Sequence, residues 1–301
     1  MQKILKIIKN PKLLFMRLGY RGLLNWLSDE TYLKIAYRIK FGKKLNIDNP
    51  QTYSEKLQWI KLYDRNPLYT KLVDKYEVKK YIAEKIGLEY IIPTLGVWNH
   101  FDEIDFDKLP NQFVLKCTHD SGGLVICKDK RALDYFKAKR VIEKSLKRSF
   151  YESSREWPYK NVKPRIIAET YMEDSNTKDL RDYKFFAFNG AVKALFIATD
   201  RQKDDTKFDF FDMNFNHLDL RNGHPNADKT PEAPKNLKKM EELAGKLSKG
   251  MPQVRVDFYE VDGKVYFGEM TFFHWSGLTP FEPELWDYKF GSWIDLGLIK
   301  K

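Results

Sequence analysis

The stretch VRVDFYEVDGKVYFGEMTF, residues 254–272, reads as two strands folded over a tight turn. Apolar and polar residues alternate on both sides of Asp262-Gly263, a dipeptide that tolerates the positive φ of a two-residue hairpin turn. Gln253–Glu260 and Lys264–Thr271 are therefore expected to pair antiparallel. Alternate residues of a strand share a face, so Arg255 and Asp257 point the same way, as do Glu269 and Thr271 on the partner strand. One face of the hairpin then gathers a guanidinium, two carboxylates and a hydroxyl. Two acids facing each other amid apolar residues repel unless a cation joins them. Mg²⁺, which prefers oxygen ligands and keeps part of its shell for phosphate and water, suits that place. The alternative is that Arg255 pairs with Asp257 or Glu269 as a plain buried ion pair.

Upstream, Asp182–Phe188 and Ala191–Thr199 form another hairpin about Asn189-Gly190, and Ile166–Met172 reads as a single strand. Phe113–Thr118 and Leu124–Lys128 are short β-rich runs on either side of a small-residue loop, and Tyr90–Ile92 and Thr94–Trp98 are two more. Helices are expected at about 52–63, 67–87, 131–148 and 235–249, the second closed by Gly87 and the last by Gly250 as caps. Residues 200–235, rich in Pro, Asn and Asp, read as loop. This irregular alternation with three hairpins predicts an α+β fold rather than a doubly wound parallel sheet.

The chain has 301 residues, 43% apolar and 15% aromatic. That length buries roughly three quarters of its unfolded surface, enough for a core spread over two or three subdomains. The aromatics by themselves point to core filling and not to a ligand. The net charge is +11, and residues 1–46 hold +9 of it, with eleven Lys and Arg against Asp29 and Glu30. A basic arm on a nearly neutral body suggests an anionic partner: a lipid headgroup, an acidic or lipid-linked glycan, or nucleic acid. Within that arm Ile4, Leu5, Ile7, Ile8 and, beyond Pro11, Leu13, Leu14, Leu18, Leu23, Leu24 and Leu27 recur at helical spacing between basic residues. Such a face either lies on a membrane surface or packs on its own domain. Cys117 and Cys127 are too few for a disulfide framework or a zinc cluster and are expected as buried thiols on neighbouring strands, which fits a reducing compartment. No apolar run approaches the roughly 18 residues of a membrane span, and lysines interrupt any signal-peptide core. A cytoplasmic protein is expected, at the inner face of the cell membrane if the arm contacts lipid.

The run Phe113-Val-Leu-Lys116, Cys-Thr-His119-Asp120-Ser121-Gly122-Gly123, Leu124-Val-Ile-Cys127-Lys128 carries a lysine on a strand into a glycine loop. Such a loop can close backbone N–H groups over phosphate oxygens while Lys116 adds a point charge. It lacks the Gly-Lys-Ser/Thr of a Walker A loop and does not open a helix. Taken with Asp74-Lys75-Tyr76, Ile92-Pro93-Thr94-Leu95-Gly96-Val97-Trp98, Pro164-Arg165-Ile166-Ile167-Ala168-Glu169, Asp182-Tyr183-Lys184-Phe185-Phe186, Val254-Arg255-Val256-Asp257 and Gly268-Glu269-Met270-Thr271, it resembles the ATP-grasp superfamily, most closely the TupA-like branch of surface-polysaccharide biosynthesis, over about residues 45–295.

The resemblance implies an ATP-grasp fold, in which two α+β subdomains with antiparallel sheets grip ATP. Their expected bounds are 66–168, with the phosphate loop, and 169–301, with the metal site, behind a helical basic region at 1–65. It implies ATP and Mg²⁺ as cofactors. Lys75 and Lys116 would meet the triphosphate, with Ser121, Gly122 and Gly123 closing over it. Glu169 and Met172, on the linker Ala168-Glu169-Thr170-Tyr171-Met172, would meet the adenine edge. Asp257, Glu269 and Thr271 would hold the metal, Thr271 standing where the family commonly has Asn. Arg255 would stabilise the transferring phosphoryl group and the tetrahedral intermediate, Lys184 would be a further phosphate or substrate cation, and Gly277, after Ser276, would offer an N–H to the oxyanion.

The implied reaction is ATP- and Mg²⁺-dependent ligation of a carboxylate to an amine through an acyl-phosphate. The implied partners are an acidic sugar or polysaccharide precursor and an amino acid or amine, with peripheral membrane contact through 1–46 and no nucleic acid. Two other readings remain open. One is a glycosyltransferase of the same pathway using a nucleotide sugar, although no convincing Asp-x-Asp turn is present. The other is a binding module led by the basic arm. Of the five histidines, which have no metal-ligand spacing, only His119 lies in the candidate phosphate loop.

Overall fold

A computed structural model describes residues 11–176, 180–199 and 206–299, so Ile4, Leu5, Ile7 and Ile8 of the basic arm lie outside the described residues. Helices come first. α1 (Pro11–Tyr20) is followed by α2 (Asp29–Phe41), which starts where Ser28 Oγ accepts the Thr31 N–H at 3.2 Å and stops at Gly42 in the left-handed region, φ 70°. A reciprocal capping box between Thr52 and Glu55 opens α3 (Tyr53–Tyr63). α4 (Leu68–Val73) and α5 (Val78–Lys85) replace the single helix expected over 67–87.

The break between α4 and α5 has a plain cause. Asp74 Oδ1 caps the N–H groups of Tyr76 (2.8 Å) and Glu77 (3.2 Å), its Oδ2 takes Arg165 Nη2 at 2.8 Å, and the Lys75 N–H goes to Thr118 O at 3.0 Å. Those bonds replace an intrahelical rung and carry Lys75 over the 118–123 loop. Gly87 is not the helix cap either: Ile86 occupies that place, and Gly87 has φ 123° and ψ 156°, an extended conformation that favours glycine. Tyr90–Ile92 is no strand, since a 3₁₀ turn at Leu88–Tyr90 runs straight into Ile91, and both Tyr90 and Ile91 pack against the main core.

Two antiparallel sheets follow. The smaller has order β1-β4-β2-β3, from β1 (Thr94–Trp98), β2 (Phe113–Cys117), β3 (Leu124–Cys127) and β4 (Ile166–Thr170). Cys117 and Cys127 are indeed free, buried thiols on the β2–β3 hairpin. The helix expected at 131–148 is α6 (Tyr135–Leu146), capped by Asp134, and a short α7 (Phe150–Ser154) succeeds it. The larger sheet has order β10-β9-β5-β6-β7, from β5 (Asp182–Phe188), β6 (Ala191–Thr199), β7 (Lys207–Phe211), β9 (Val254–Val261) and β10 (Lys264–Thr271). β7 lies in the segment expected to be loop: Phe208, Phe210 and Phe211 all point into the core, and β6 hydrogen-bonds its full length. A two-stranded ribbon of β8 (Arg221–Asn222) and β11 (Phe281–Glu282), with α8 (Leu237–Leu247) and α9 (Leu285–Ser292), completes the chain.

The larger sheet shares one continuous core with α2, α3, α4 and α5, through Tyr32, Leu33, Leu57, Leu72 and Ile82. From Leu24 onward the apolar face of the basic arm is thus covered by the chain itself. Buried Arg155 holds it there, donating to Leu24 O (2.8 Å) and Asn25 Oδ1 (2.9 Å). Tyr20, Leu23 and Trp26 remain outside, 54%, 58% and 79% exposed. The smaller sheet has a separate core around Phe101, Phe113, Leu115, Ile142 and Ile166. No helix among the described residues is long and apolar enough to cross a membrane.

Candidate active site

A cleft runs between the two sheets, in lobes of about 170 and 240 Å³ that share Ile92, Lys116, Leu124, Glu169 and Tyr259. The first lobe is polar. Lys116 and Ser121 reach it from the small sheet and its loop, Lys75 and Lys79 from the α4–α5 turn and α5, and Asp182 and Glu269 from the large sheet. The second is mostly apolar, lined by Val114, Ile126, Tyr171, Met172 and Leu180 beside Glu173.

On the small-sheet side Glu169 is clamped. Its Oε1 meets Lys79 Nζ at 2.5 Å and its Oε2 meets Lys116 Nζ at 2.6 Å. Antiparallel pairing of β2 with β4 sets this up, because it puts Val114 opposite Glu169 and Lys116 opposite Ile167 on the same stretch of sheet. Burial pushes the Glu169 carboxyl up, but Lys116 and Lys79 outweigh it and leave the group below its ordinary value. Burial likewise lowers the Lys79 ammonium, against the pull of Glu169. In the loop, Asp120 Oδ1 accepts the N–H groups of Gly122 and Gly123, both at 3.1 Å, and Lys75 Nζ donates to Asp120 O. The two glycine amides therefore rest on an internal carboxylate. His119 is buried with Nε2 3.2 Å from both Ser145 O and Arg148 O, and burial lowers its pKa, so it is a neutral donor that ties the loop to α6.

On the large-sheet side the acids do meet. A regular ladder over the Asp262-Gly263 turn pairs Val261 with Lys264 and Phe258 with Phe267; continued, it would set Glu269 against Val256, on the face opposite Asp257. The register shifts between Phe267 and Glu269, where Gly268 is the extra residue of a β-bulge, and Glu269 pairs with Asp257 and Thr271 with Arg255. β5 adds Lys184 opposite Asp257. Arg255 binds Asp257 through Nε–Oδ1 (2.7 Å) and Nη2–Oδ2 (2.8 Å), and its Nη2 also reaches Thr271 Oγ1 (3.0 Å) and Glu269 Oε1 (3.3 Å). Lys184 Nζ donates to Asp257 Oδ2 and lies 2.8 Å from Asp182 Oδ2. Burial would raise the Asp257 carboxyl; Arg255 and Lys184 reverse that and hold it well below the usual carboxylate range.

His274 completes this group from behind. Arg255 Nη1 can only donate, so His274 Nδ1 accepts at 2.8 Å, and its Nε2–H faces Asn222 Oδ1 at 3.0 Å. Burial and the adjacent guanidinium drive its pKa well below the ordinary value, so it stays neutral.

Asp257 is 1% exposed and occupied by two cations, whereas the Glu269 side chain is 41% exposed on the cleft wall. No group of three His, Cys, Asp or Glu able to hold a metal occurs among the described residues. The donor set fits a cation that takes two carboxylates from the protein and the rest of its shell from phosphate and water, as Mg²⁺ does. A model of the TupA-like ATP-grasp family matches residues 55–295.

The chain belongs to the TupA-like ATP-grasp family. It is an ATP-grasp enzyme. No curated protein matches it. Among solved structures it is similar to a D-alanine–D-alanine ligase from Helicobacter pylori, at 14% identity over 81% of this chain and 67% of that one, TM-score 0.45. It is also similar to the ATP-grasp ligase PsnB complexed with a phosphomimetic variant of its minimal precursor, Mg and ADP (10% identity, 73% of this chain, 57% of that one, TM-score 0.42). A third is N5-carboxyaminoimidazole ribonucleotide synthetase from Thermus thermophilus (13%, 80%, 51%, TM-score 0.38). The chain spans about half to two thirds of the length of these structures.

Of the sequence-derived ATP-grasp site residues, Lys75, Lys116, Ser121, Gly123, Glu169, Met172 and Glu269 line the cleft, and Lys184, Arg255, Asp257 and Thr271 form the cluster beside it. Gly122 and Gly277 do not line it; the Gly277 carbonyl accepts from Gln58 Nε2 at 2.8 Å, and the neighbouring Ser276 N–H goes to Phe273 O. Lys79, Asp182 and His274 were not singled out from the sequence. Lys79 lies four positions after Lys75, a spacing that shares a face in the single helix expected over 67–87, and that was a usable signal for the first.

Proposed function

We propose that this protein uses ATP to join a carboxylate to an amine through an acyl-phosphate, with an acidic sugar or polysaccharide precursor and an amino acid or amine as the partners. The observation that carries this is the pairing of a lysine-lined wall with a carboxylate–arginine wall across one cleft. In this reading adenine enters the apolar lobe beside Met172 and the 170–173 backbone. The phosphates replace Glu169 at Lys116 and Lys79 and Asp120 at the Gly122 and Gly123 amides, with Lys75 and Ser121 alongside.

Asp257, Glu269 and, more weakly, the Thr271 hydroxyl would hold Mg²⁺, which supplies charge neutralisation on the transferring phosphoryl group. Arg255, fixed by Asp257 and His274, faces the same oxygens and then the tetrahedral oxyanion. Lys184 orients Asp257 and the substrate carboxylate. The γ-phosphoryl moves to that carboxylate, and the amine then displaces phosphate to leave an amide. We assign 66–168 and 169–301 to the two grasping halves. The basic arm at 1–46 would contact the acidic glycan or the membrane that carries it, and its deletion should weaken acceptor binding in a salt-dependent way.

The test is to mix the protein with ATP, Mg²⁺, glucuronic acid and a panel of amino acids and to follow ADP, phosphate and product mass. Nucleotide-dependent melting gives a second reading, because a ligand that binds only the folded state raises the melting temperature. A rise with UDP-sugars and none with ATP·Mg²⁺ would replace the ligase by a glycosyltransferase.

A further inference from the structure

Behind Arg255 the chain turns through His274–Gly277 in an unusual way. Trp275 (φ 48°, ψ 29°), Ser276 (φ 57°, ψ 15°) and Gly277 (φ 58°) lie consecutively in the left-handed region. Only the last is a glycine, and such a run persists only where its surroundings over-determine it. The surroundings are three buried polar side chains. Lys61 Nζ, on α3, donates to Ser276 O at 2.8 Å, Ser154 O at 2.9 Å and Gln58 Oε1 at 3.1 Å. Gln58 Nε2 donates to Gly277 O at 2.8 Å and Ser276 O at 3.1 Å, and Ser276 Oγ donates to Glu156 Oε1.

Lys61 is 1% exposed, and the oxygens that accept from it are all uncharged. Glu156, 3% exposed, is the opposing charge that acts on it most strongly. A buried charge so placed is a poor stabiliser, since an apolar residue of the same volume commonly does as well. What an apolar residue cannot do is bond the Ser276 carbonyl and fix the Ser276–Gly277 peptide of the turn that begins at His274, the residue that accepts from Arg255.

We propose that Lys61, with Gln58 and Glu156, is a positioning residue for the His274–Gly277 turn and, through His274, for the guanidinium of Arg255. This rests on the ligase reading for what Arg255 does, and on the geometry alone for the turn. A trans peptide sends its N–H opposite to its C=O. With the Ser276 carbonyl drawn onto Lys61, the Gly277 N–H is therefore turned away from α3.

The experiment compares wild type with Lys61→Met. Backbone amide exchange at 274–277, measured without nucleotide by mass spectrometry, should quicken about tenfold in the variant as the turn opens locally. Affinity for ADP·Mg²⁺ should stay within about twofold, while the complex of ADP·Mg²⁺ with aluminium fluoride, a mimic of the transferring phosphoryl group, should weaken about tenfold. A merely structural role would move both affinities together or neither. Unchanged exchange overturns the proposal, and so does faster exchange with an unchanged ratio of the two affinities. If Lys61→Met does not fold, Ser276→Ala, which removes only the bond to Glu156, carries the same comparison. If wild type binds no ADP·Mg²⁺, the ligase reading fails, and the exchange measurement alone still decides whether Lys61 holds the turn.

Discussion

On the lysine wall, Leu124 and Ile126 stand 48% and 52% exposed above a small separate core, whereas on the acid wall Asp257 and Arg255 are 1% and 8% exposed over the core that runs through the helices. The charges differ in the same sense. Lys79 and Lys116 are neutralised by one internal carboxylate, Glu169, and the glycine amides by Asp120. Each of these is an anion that phosphate can replace. Arg255, by contrast, is held by Asp257, Thr271 and His274, from two strands and the turn beyond them. Fixed dipoles and charges of that kind favour a transition state because they need no reorganisation when charge develops. The comparison suggests a division: one wall adjusts to nucleotide, the other is set in advance for chemistry.

The sharpest way to break this division is Glu269→Gln. Glu269 is partly exposed, so the melting temperature should hold to within about 0.5 kcal/mol of stability, while ADP release with acceptor should fall about a thousandfold. A comparable loss of ADP affinity in calorimetry would show that the acid wall binds as much as it reacts.

Asp287 sharpens the contrast from outside the site. It is a buried acid that accepts from Ser54 N–H (2.8 Å) and Ser54 Oγ (3.0 Å), neither of them cationic, and burial pushes its pKa from 3.8 up to about 6. The folded state therefore binds the proton more tightly than the unfolded chain, and this stability, full below pH 3.8, is lost as pH rises through about 6. Asp287→Asn should accordingly stabilise the protein near pH 7.5 by up to about 3 kcal/mol, with the gain absent below about pH 4 in melting curves taken across the range. A gain that does not depend on pH would mean that packing, and not charge burial, sets the cost.

Lys116→Met should weaken ATP binding about tenfold to a hundredfold, the worth of one or two charge-assisted hydrogen bonds. Calorimetry at several salt concentrations checks it, and the salt dependence should diminish in the variant. The smallest effect is expected for Ile126→Ser in the apolar lobe. It should cost about 1 kcal/mol of ATP affinity and nothing in affinity for inorganic tripolyphosphate, which has no base to bury.

The hairpins were legible because their code is local: alternation, a turn dipeptide and β-rich flanks specify each without reference to the rest of the chain. The helix break at Asp74–Glu77 was not, because it is made by Arg165 and Thr118, distant in sequence. β7 was hidden by the Pro, Asn and Asp around it, although Lys207-Phe-Asp-Phe alternates as a strand should. For the site, residue types and their order pointed to Lys75, Lys116, Asp257 and Glu269. The clamp of Lys79 on Glu169 and the support of Arg255 by His274 and Asn222 needed three-dimensional proximity, since those bonds join segments far apart in the chain.

The bulge at Gly268 also changes what counts as a match to this hairpin. Over a two-residue turn, facing positions have an odd separation, yet Asp257 and Glu269 are separated by an even number of positions. A relative without the extra residue would carry its acid one place nearer the turn and still face the same partner, because the uninterrupted ladder sets position 268 opposite Asp257. Compared without a gap, two such chains would set an acid against a glycine, and a pattern that fixes the spacing of the two carboxylates would miss one of them, although both chains gather the pair on the same face of the sheet.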